Sequence, residues 1–476
     1  MSYCVYVGKN LTANGRSYLA GYGDEPSSHW LTIVPRQQHA SDATVRVGVT
    51  PQADMPGHMI EIPQVAETAR YISVAYSYYK GVPAPITNGG LNEYGVAVRD
   101  IWSSSREELV AMTPADQSGP NYSDLARLVL ERAKTAREGV ELIGELIAQH
   151  GYSTYGGNSH FIADADEGWV VIEFAGGQGL WAAQRVGPDD IRVSRPGYIE
   201  EIPVDFANDP NILASPNLVT FAIEKGWFDP RKESSFNVNK IYGDGNGRWA
   251  GIRFMEEEMA RRAARPEKIA IEDMMWAVRA ETLTGDTAGY GQVVPLVKNK
   301  HPELGVLWHT QSGAVAAPFV PVFIGTNDLP PEFKQHRYLT FDESRRFLDD
   351  RQGTKPQSAV PQAVEATRSA FRSVKRLMYY VLEHHETFLP EVREIFEAFE
   401  GRLLKEQTAV LATANTLLEA NQPDLARNYL TYYSKTELLN GLRLVETLTA
   451  HYELRSKLLH GVRETADFRG PAQTWA

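Results

Sequence analysis

The pattern of apolar and polar positions divides the chain into a strand-rich front and a helical tail. Residues 4–8 and 17–22 are short, apolar runs, and the polar stretch between them carries Asn14-Gly15. That combination predicts two antiparallel strands joined by a turn. Leu31-Thr32-Ile33-Val34 reads as a further strand closed by Pro35, and residues 71–79 alternate tyrosines with small residues. Pro83 and Pro85 interrupt the chain, and Asn88-Gly89-Gly90 reads as a turn before a strand over 95–101. Leu125, Leu128 and Val129 then fall at helical spacing within 123–150. Thr135 and Glu138 restart that helix as a capping-box pattern, and Gly151 ends it. A meander follows, with strands over 160–163, 169–174 and 180–185.

Residues 186–250 are rich in Pro, Asp and Asn and hold only short elements. Helices are predicted over 215–226 and 254–264, a strand pair over 291–297 and 305–309, and an apolar stretch over 315–324. From about Asp342 the spacing turns helical: 342–351, 358–388, 389–420 and 423–464, with Pro390 and Pro423 as breaks. This order lacks the strand-helix alternation of a doubly wound sheet. It is an α+β order, suited to two stacked antiparallel sheets covered by helices. The tail would pack on one edge and offer a face to a second copy of the chain.

At 476 residues the chain exceeds one small core. Its formal charge of -12 argues against a nucleic-acid partner, which calls for a basic footprint. No apolar run reaches a membrane span, and no basic-then-apolar leader opens the sequence. With a single cysteine, this fits a cytoplasmic protein. HExxH, Gly-x-Ser-x-Gly and phosphate-loop patterns are absent, and the acidic turn 164–168 lacks calcium-hand spacing. His384 and His385 are adjacent and so do not face a common metal. Neither a cofactor nor a metal is predicted.

Cys4 is the one cysteine, so it forms no internal disulfide. Two readings stand: an inert core residue, as free cysteines usually are, or a nucleophile. Its place near the chain start, on a hairpin whose second strand ends just before Asp24, favours the second. A free thiol has a pKa of about 8.5 and needs a base. An α-amine, at about 7.7–8.0, can serve as one if the cysteine heads the chain. Here that requires loss of Met1-Ser2-Tyr3, which attack of the Cys4 thiol on the Tyr3 carbonyl would accomplish. Asp24 either orients the freed amine or caps the turn at Gly23. Asn92, backbone groups after Glu93, and Asn158 are candidate oxyanion donors, each with a turn-forming alternative, as for Asn88.

The order of Cys4, Gly8-Lys9, Ala20, Asp24-Glu25-Pro26, Leu91-Asn92-Glu93-Tyr94-Gly95-Val96-Ala97, Phe161-Ile162-Ala163-Asp164 and Ala214-Ser215-Pro216-Asn217 resembles the cysteine dipeptidases among the N-terminal-nucleophile hydrolases, with the secernins as relatives. The resemblance spans roughly residues 4–340. It implies a four-layer αββα fold with a propeptide over 1–3, a hydrolase domain over 4–341 and a helical region over 342–476. It implies a small peptide or amide substrate, cleaved through a thioester on Cys4, with Asp24, Asn92 and Asn158 in catalysis. An acylase or amide-forming acyltransferase on the same fold, or a non-catalytic relative, is the alternative. Two positions depart from the family pattern. Gly21 stands where the family carries Arg, and Ser194-Arg195-Pro196 stands near where it carries Asn. Arg195 is therefore the candidate for a displaced substrate-binding cation, with Tyr22 beside it.

Overall fold

The computed structural model describes residues 2–25, 27–77, 79–285, 288–335 and 368–461. Two larger antiparallel sheets dominate it. The first runs Ile191–Ser194, Tyr3–Val7, Ser17–Gly23, Tyr290–Leu296, Val306–Gln311, Val320–Phe323 across its six strands. The second has eight, in the order Ile212–Ala214, Trp181–Val186, Gly168–Glu173, Asn158–Ala163, Ala97–Ile101, Ile86–Asn92, Tyr71–Tyr76, His29–Val34.

Side chains alternate across each strand, which explains the packing on either side. Tyr3, Val5 and Val7 join Ala20 and Tyr22 in a cluster with Met255 and Met259 of the helix Ala250–Ala263 and Met274, Met275 and Val278 of the helix Ile271–Val278. Cys4, Tyr6 and Leu19 point the other way. They share a cluster with Ala97, Ile101, Phe161 and Val170 of the second sheet. That sheet's other face carries Val96, Val98, Ile162, Trp169 and Val171. These pack on Leu125, Val129, Val140 and Ile143 of the helices Tyr122–Arg132 and Ala136–His150. Thr135 caps the second of these helices by accepting from Glu138 N at 3.1 Å, and Gly151 ends it at φ 84°.

Asn88-Gly89-Gly90 is not a turn. It lies inside the strand Ile86–Asn92. The glycines serve close approach between layers: a Cβ on Gly89 would fall 2.5 Å from the Tyr290 hydroxyl and 2.6 Å from Gln292 Oε1. Pro390 is not a break either, since the helix His385–Glu419 carries it in its second turn. There the hydrogen bond it forgoes would have gone only to Glu386, near the helix start. The predicted helix 342–351, the first ten residues of 358–388 and the 341/342 boundary lie outside the described residues.

The tail forms the helices Ala370–Glu383, His385–Glu419 and Pro423–His460. They close on each other through Leu377, Val381, Phe388, Val392 and Val445. A buried ion pair ties them to the sheets: Arg279 Nη1 donates to Glu400 Oε2 at 3.0 Å, and Phe319 N donates to Glu400 Oε1 at 2.7 Å. Among the described residues, no helix is long and apolar enough to cross a membrane.

Candidate active site

Strand register sets the surroundings of Cys4. Across the first sheet it pairs with Ser194 on one side and Gly21 on the other; Gly21 pairs in turn with Gln292, and Gln292 with His309. Residues directly opposite on antiparallel strands share a face. Ser194, Cys4, Gly21, Gln292 and His309 therefore form one row looking toward the second sheet.

Arg99 enters that row from the opposite side. It sits on the strand Ala97–Ile101, where Ala97 and Ile101 also face the first sheet. A Cβ on Gly21 would fall 3.2 Å from Arg99 Nε and 3.1 Å from Cys4 Cα, so the guanidinium fills the space the glycine leaves beside the thiol's strand. Arg99 is fully buried. Its Nη2 donates to Tyr22 O at 2.8 Å, and its Nη1 donates to Asn88 O at 2.6 Å, to Asn88 Oδ1 and to the Tyr290 hydroxyl.

Three buried groups on this row or against its arginine have no hydrogen-bond partner among the described residues: the Ser194 hydroxyl, Arg99 Nε, and Nδ2 of Asn88, the residue that Arg99 Nη1 contacts. Leaving buried polar groups unpaired is costly, which makes such groups on the row that carries the thiol informative. Burial pushes the Cys4 thiol well above its usual range, and the Arg99 charge works against that shift. With the Tyr3–Cys4 peptide intact, the thiol is held protonated.

The strand end beyond Cys4 borders a cavity of about 190 Å³. Ser2, Asp24, Glu25, Asp100 and Arg195 line it, walled by aromatic rings that include Trp102. Arg195 Nη1 donates to Ser2 O at 2.8 Å, and its guanidinium lies 5.4 Å from the rings of both Trp102 and Trp249. Burial draws its pKa down to about 10, so it stays cationic at neutral pH. Glu25 Oε2 lies 3.5 Å from His29 Nε2. Burial acts to raise the Glu25 pKa, but contact with His29 and the Arg99 charge outweigh it and hold the carboxyl below its usual value. Asp100 Oδ1 lies 3.5 Å from Arg99 Nη1, yet burial pushes this carboxyl up to about 8.

The structure brings Asp24 and Arg195 to one cavity beside the Cys4 strand. Tyr22 does not line it: its hydroxyl donates to Leu283 O at 2.9 Å, and its ring meets Tyr3 edge-on on the helix-covered side. The Asn92 amide is occupied by its own turn and by the end of the helix Tyr122–Arg132. Nδ2 donates to Leu130 O and Ala133 O at 3.2 and 2.8 Å, and Oδ1 accepts from Tyr94 N and Val96 N. Asn158 pairs with Glu173 in the second sheet; its Oδ1 accepts from the Tyr155 hydroxyl and its Nδ2 donates to Ser159 O at 3.2 Å. Arg99, Ser194 and Asp100 are the site neighbours that sequence reasoning did not select. One signal was available: the adjacent charges Arg99-Asp100 interrupt an otherwise apolar strand.

Among the described residues, no group of three or more His, Cys, Asp or Glu is placed to share a metal ion. In comparisons with known proteins, Peptidase family C69 matches residues 6–249. A probable dipeptidase B of Lactococcus lactis subsp. lactis is 24% identical over 378 residues, covering 69% of this chain and 76% of that protein. A probable dipeptidase B of Streptococcus pyogenes is 28% identical over 242 residues, covering 50% of this chain and 45% of that protein. A probable dipeptidase of Salmonella dublin is 31% identical over 161 residues, which are 33% of this chain and 35% of that one. Among solved structures, a variant of the conjugated bile acid hydrolase from Clostridium perfringens is similar at 14% identity and a TM-score of 0.31, over 68% of this chain and 92% of that one.

Proposed function

Because the chain belongs to Peptidase family C69, we propose that it is a cysteine dipeptidase that works once Cys4 heads the chain. The observation that carries the site assignment is the row Ser194–Cys4–Gly21 with the Arg99 guanidinium set into the gap at Gly21. In support of it, the Arg99 charge lies against the Cys4 strand, and the Ser194 hydroxyl opposite Cys4 and Arg99 Nε are unsatisfied among the described residues.

Loss of residues 1–3 frees the Cys4 amine into the cavity that Ser2 now borders. In its neutral form that amine takes the thiol proton, and Asp24 orients it. The thiolate attacks the scissile carbonyl, and the carbon–sulfur bond forms as the carbonyl electrons move to oxygen. Arg99 Nε and Asn88 Nδ2 are the donors aimed at that oxyanion in this reading, since Asn92 has no donor left over. The amine returns the proton to the leaving nitrogen, the carbon–nitrogen bond breaks, and a thioester remains. Water then repeats the sequence and releases the acyl group as a carboxylic acid. Asn158 retains a supporting place through Tyr155, which walls the cavity. Arg195, which holds the Ser2 carbonyl, is the cation for a substrate carbonyl or carboxylate.

The four-layer αββα arrangement belongs to the same proposal. In its support, one apolar cluster joins the two sheets, and helices cover the outer face of each. The division into a hydrolase domain over 4–341 and a helical region over 342–476 is proposed with it, as is self-association through the exposed Tyr432, Leu454 and Leu458 of the last helix. The test of function is turnover of unblocked dipeptides by purified protein. Cys4→Ala should abolish it, and undiminished turnover by that variant would contradict the reading.

A further inference from the structure

Asp24 lies on the short link between the two sheets. That link leaves the first sheet at Gly23, passes through Asp24 and Glu25, and enters the second sheet at His29. In the reading above, Asp24 orients the Cys4 amine, so turnover depends on how firmly the link is held. Outside strands and helices, a chain relies on other partners to fix its polar groups.

His29 is such a partner. Its buried imidazole meets the link at two points: Nδ1 donates to Ser27 O at 2.9 Å, and Nε2 faces Glu25 Oε2 across 3.5 Å. The ring is itself packed from both sheets. It stacks on Tyr76 of its own sheet with 5.1 Å between centroids, and Tyr290 of the first sheet lies tilted at 5.5 Å. A Cβ on Gly289 would fall 1.9 Å from His29 Cε1, so that glycine leaves the room the imidazole fills.

A third ring comes from the helical tail. Phe371, in the first turn of the helix Ala370–Glu383, stacks on His29 with 6.3 Å between centroids and 19° between planes. One turn further, Lys375 Nζ donates to Ala288 O at 2.9 Å. The next residue, Gly289, donates from its backbone N to Gly23 O at 2.8 Å. Two routes thus lead from the start of one tail helix to the residues on either side of Asp24. One runs from Phe371 through His29 to Glu25, the other from Lys375 through Ala288 and Gly289 to Gly23. Covering the sheets does not call for either contact, since Leu377, Val381 and Leu382 already bury this helix among apolar neighbours.

We propose that Phe371 and Lys375 are positioning residues for the reaction: through His29 and Gly289 they fix the link that bears Asp24, so that turnover depends on the helical tail. This rests on Asp24 orienting the Cys4 amine, and the test separates the two claims. Wild type, Phe371→Ala, Asp24→Asn and the double variant are compared as full chains on alanyl-alanine, with rates counted per chain that begins at Cys4. Phe371→Ala should lower kcat by about 10- to 100-fold, the loss that a displacement of about 1 Å can bring, and leave KM unchanged. In the Asp24→Asn background the same substitution should cost nothing further, because the two act through one group. Phe371→Tyr keeps the ring and should keep the wild-type kcat. An equal loss in both backgrounds would overturn the inference, since the tail would then act elsewhere. So would a lowered melting temperature with unchanged kcat, the mark of packing alone. If Asp24→Asn by itself leaves kcat unchanged, the role of Asp24 fails and the inference with it. Lys375→Met, which keeps the side-chain stem and removes the hydrogen bond to Ala288, carries the same cycle if Phe371→Ala does not fold.

Discussion

Arg99 and Gly21 are two halves of one arrangement: the guanidinium from the second sheet occupies the room that a side chain at 21 would take, with its Nε 3.2 Å from that side chain's first carbon. A cation thus reaches the Cys4 strand from the facing layer, at the position where the family resemblance led us to expect an arginine on the strand itself. Arg195, the substitute suggested by the sequence, is engaged with Ser2 O instead.

Removing the Arg99 charge should raise the pH at which Cys4 becomes reactive. The guanidinium favours the thiolate, so its loss leaves burial to push the thiol up unopposed. Iodoacetamide alkylation of the mature protein, followed against pH, should shift to higher pH in Arg99→Gln and return part of the way in Arg99→Lys. An unchanged profile in both variants would assign Arg99 to packing alone.

Gly21→Ala should destabilise the chain by about 1–3 kcal/mol, as overpacking in a filled core does. The added methyl would meet both Arg99 Nε and the Tyr3 carbonyl oxygen. Thermal melting of the Cys4→Ala background, which retains Tyr3, isolates this effect. A variant as stable as its parent would mean that the gap at Gly21 has slack.

Much of this frame was legible in sequence. The first strand pair, the capped helix restart at Thr135 and the meander were read from local spacing, because their cues lie within a few residues of each other. Of the residues around the cavity, those the sequence singled out together, Cys4 and Asp24, are the ones joined by a local hairpin. Arg99 lies in the other sheet, and its tie to Cys4 runs through register and layer stacking, which a single sequence does not display. Asn88-Gly89-Gly90 misled for a related reason. Turn-forming residues were used inside a strand to let Tyr290 and Gln292 of the first sheet approach across the layers, next to Arg99 on the neighbouring strand.

Asp100 should make the folded state less stable as pH rises. Its carboxyl is raised from 3.8 to about 8 on folding, so the native chain holds a proton that the unfolded chain releases. Its contribution is most favourable below about pH 4 and is lost progressively as pH climbs to about 8. In Asp100→Asn the melting temperature should vary less across that window. A parallel pH dependence in wild type and variant would contradict the shift.

Asp24→Asn should lower turnover by about 10²- to 10⁴-fold if the carboxylate orients the catalytic amine. Asn caps turns nearly as well as Asp, so a purely structural Asp24 would leave turnover and melting near wild type. Steady-state rates on an unblocked dipeptide, read beside a melting curve, separate the two roles.

The central claim is that Cys4 becomes the first residue of the working enzyme, and intact-mass measurement of an active preparation tests it most directly. The account predicts loss of Met-Ser-Tyr from wild type and retention of Ser2-Tyr3 in Cys4→Ala, because the missing sulfur is what attacks the Tyr3 carbonyl. A homogeneous, fully active wild-type chain that still carries Tyr3 would contradict it.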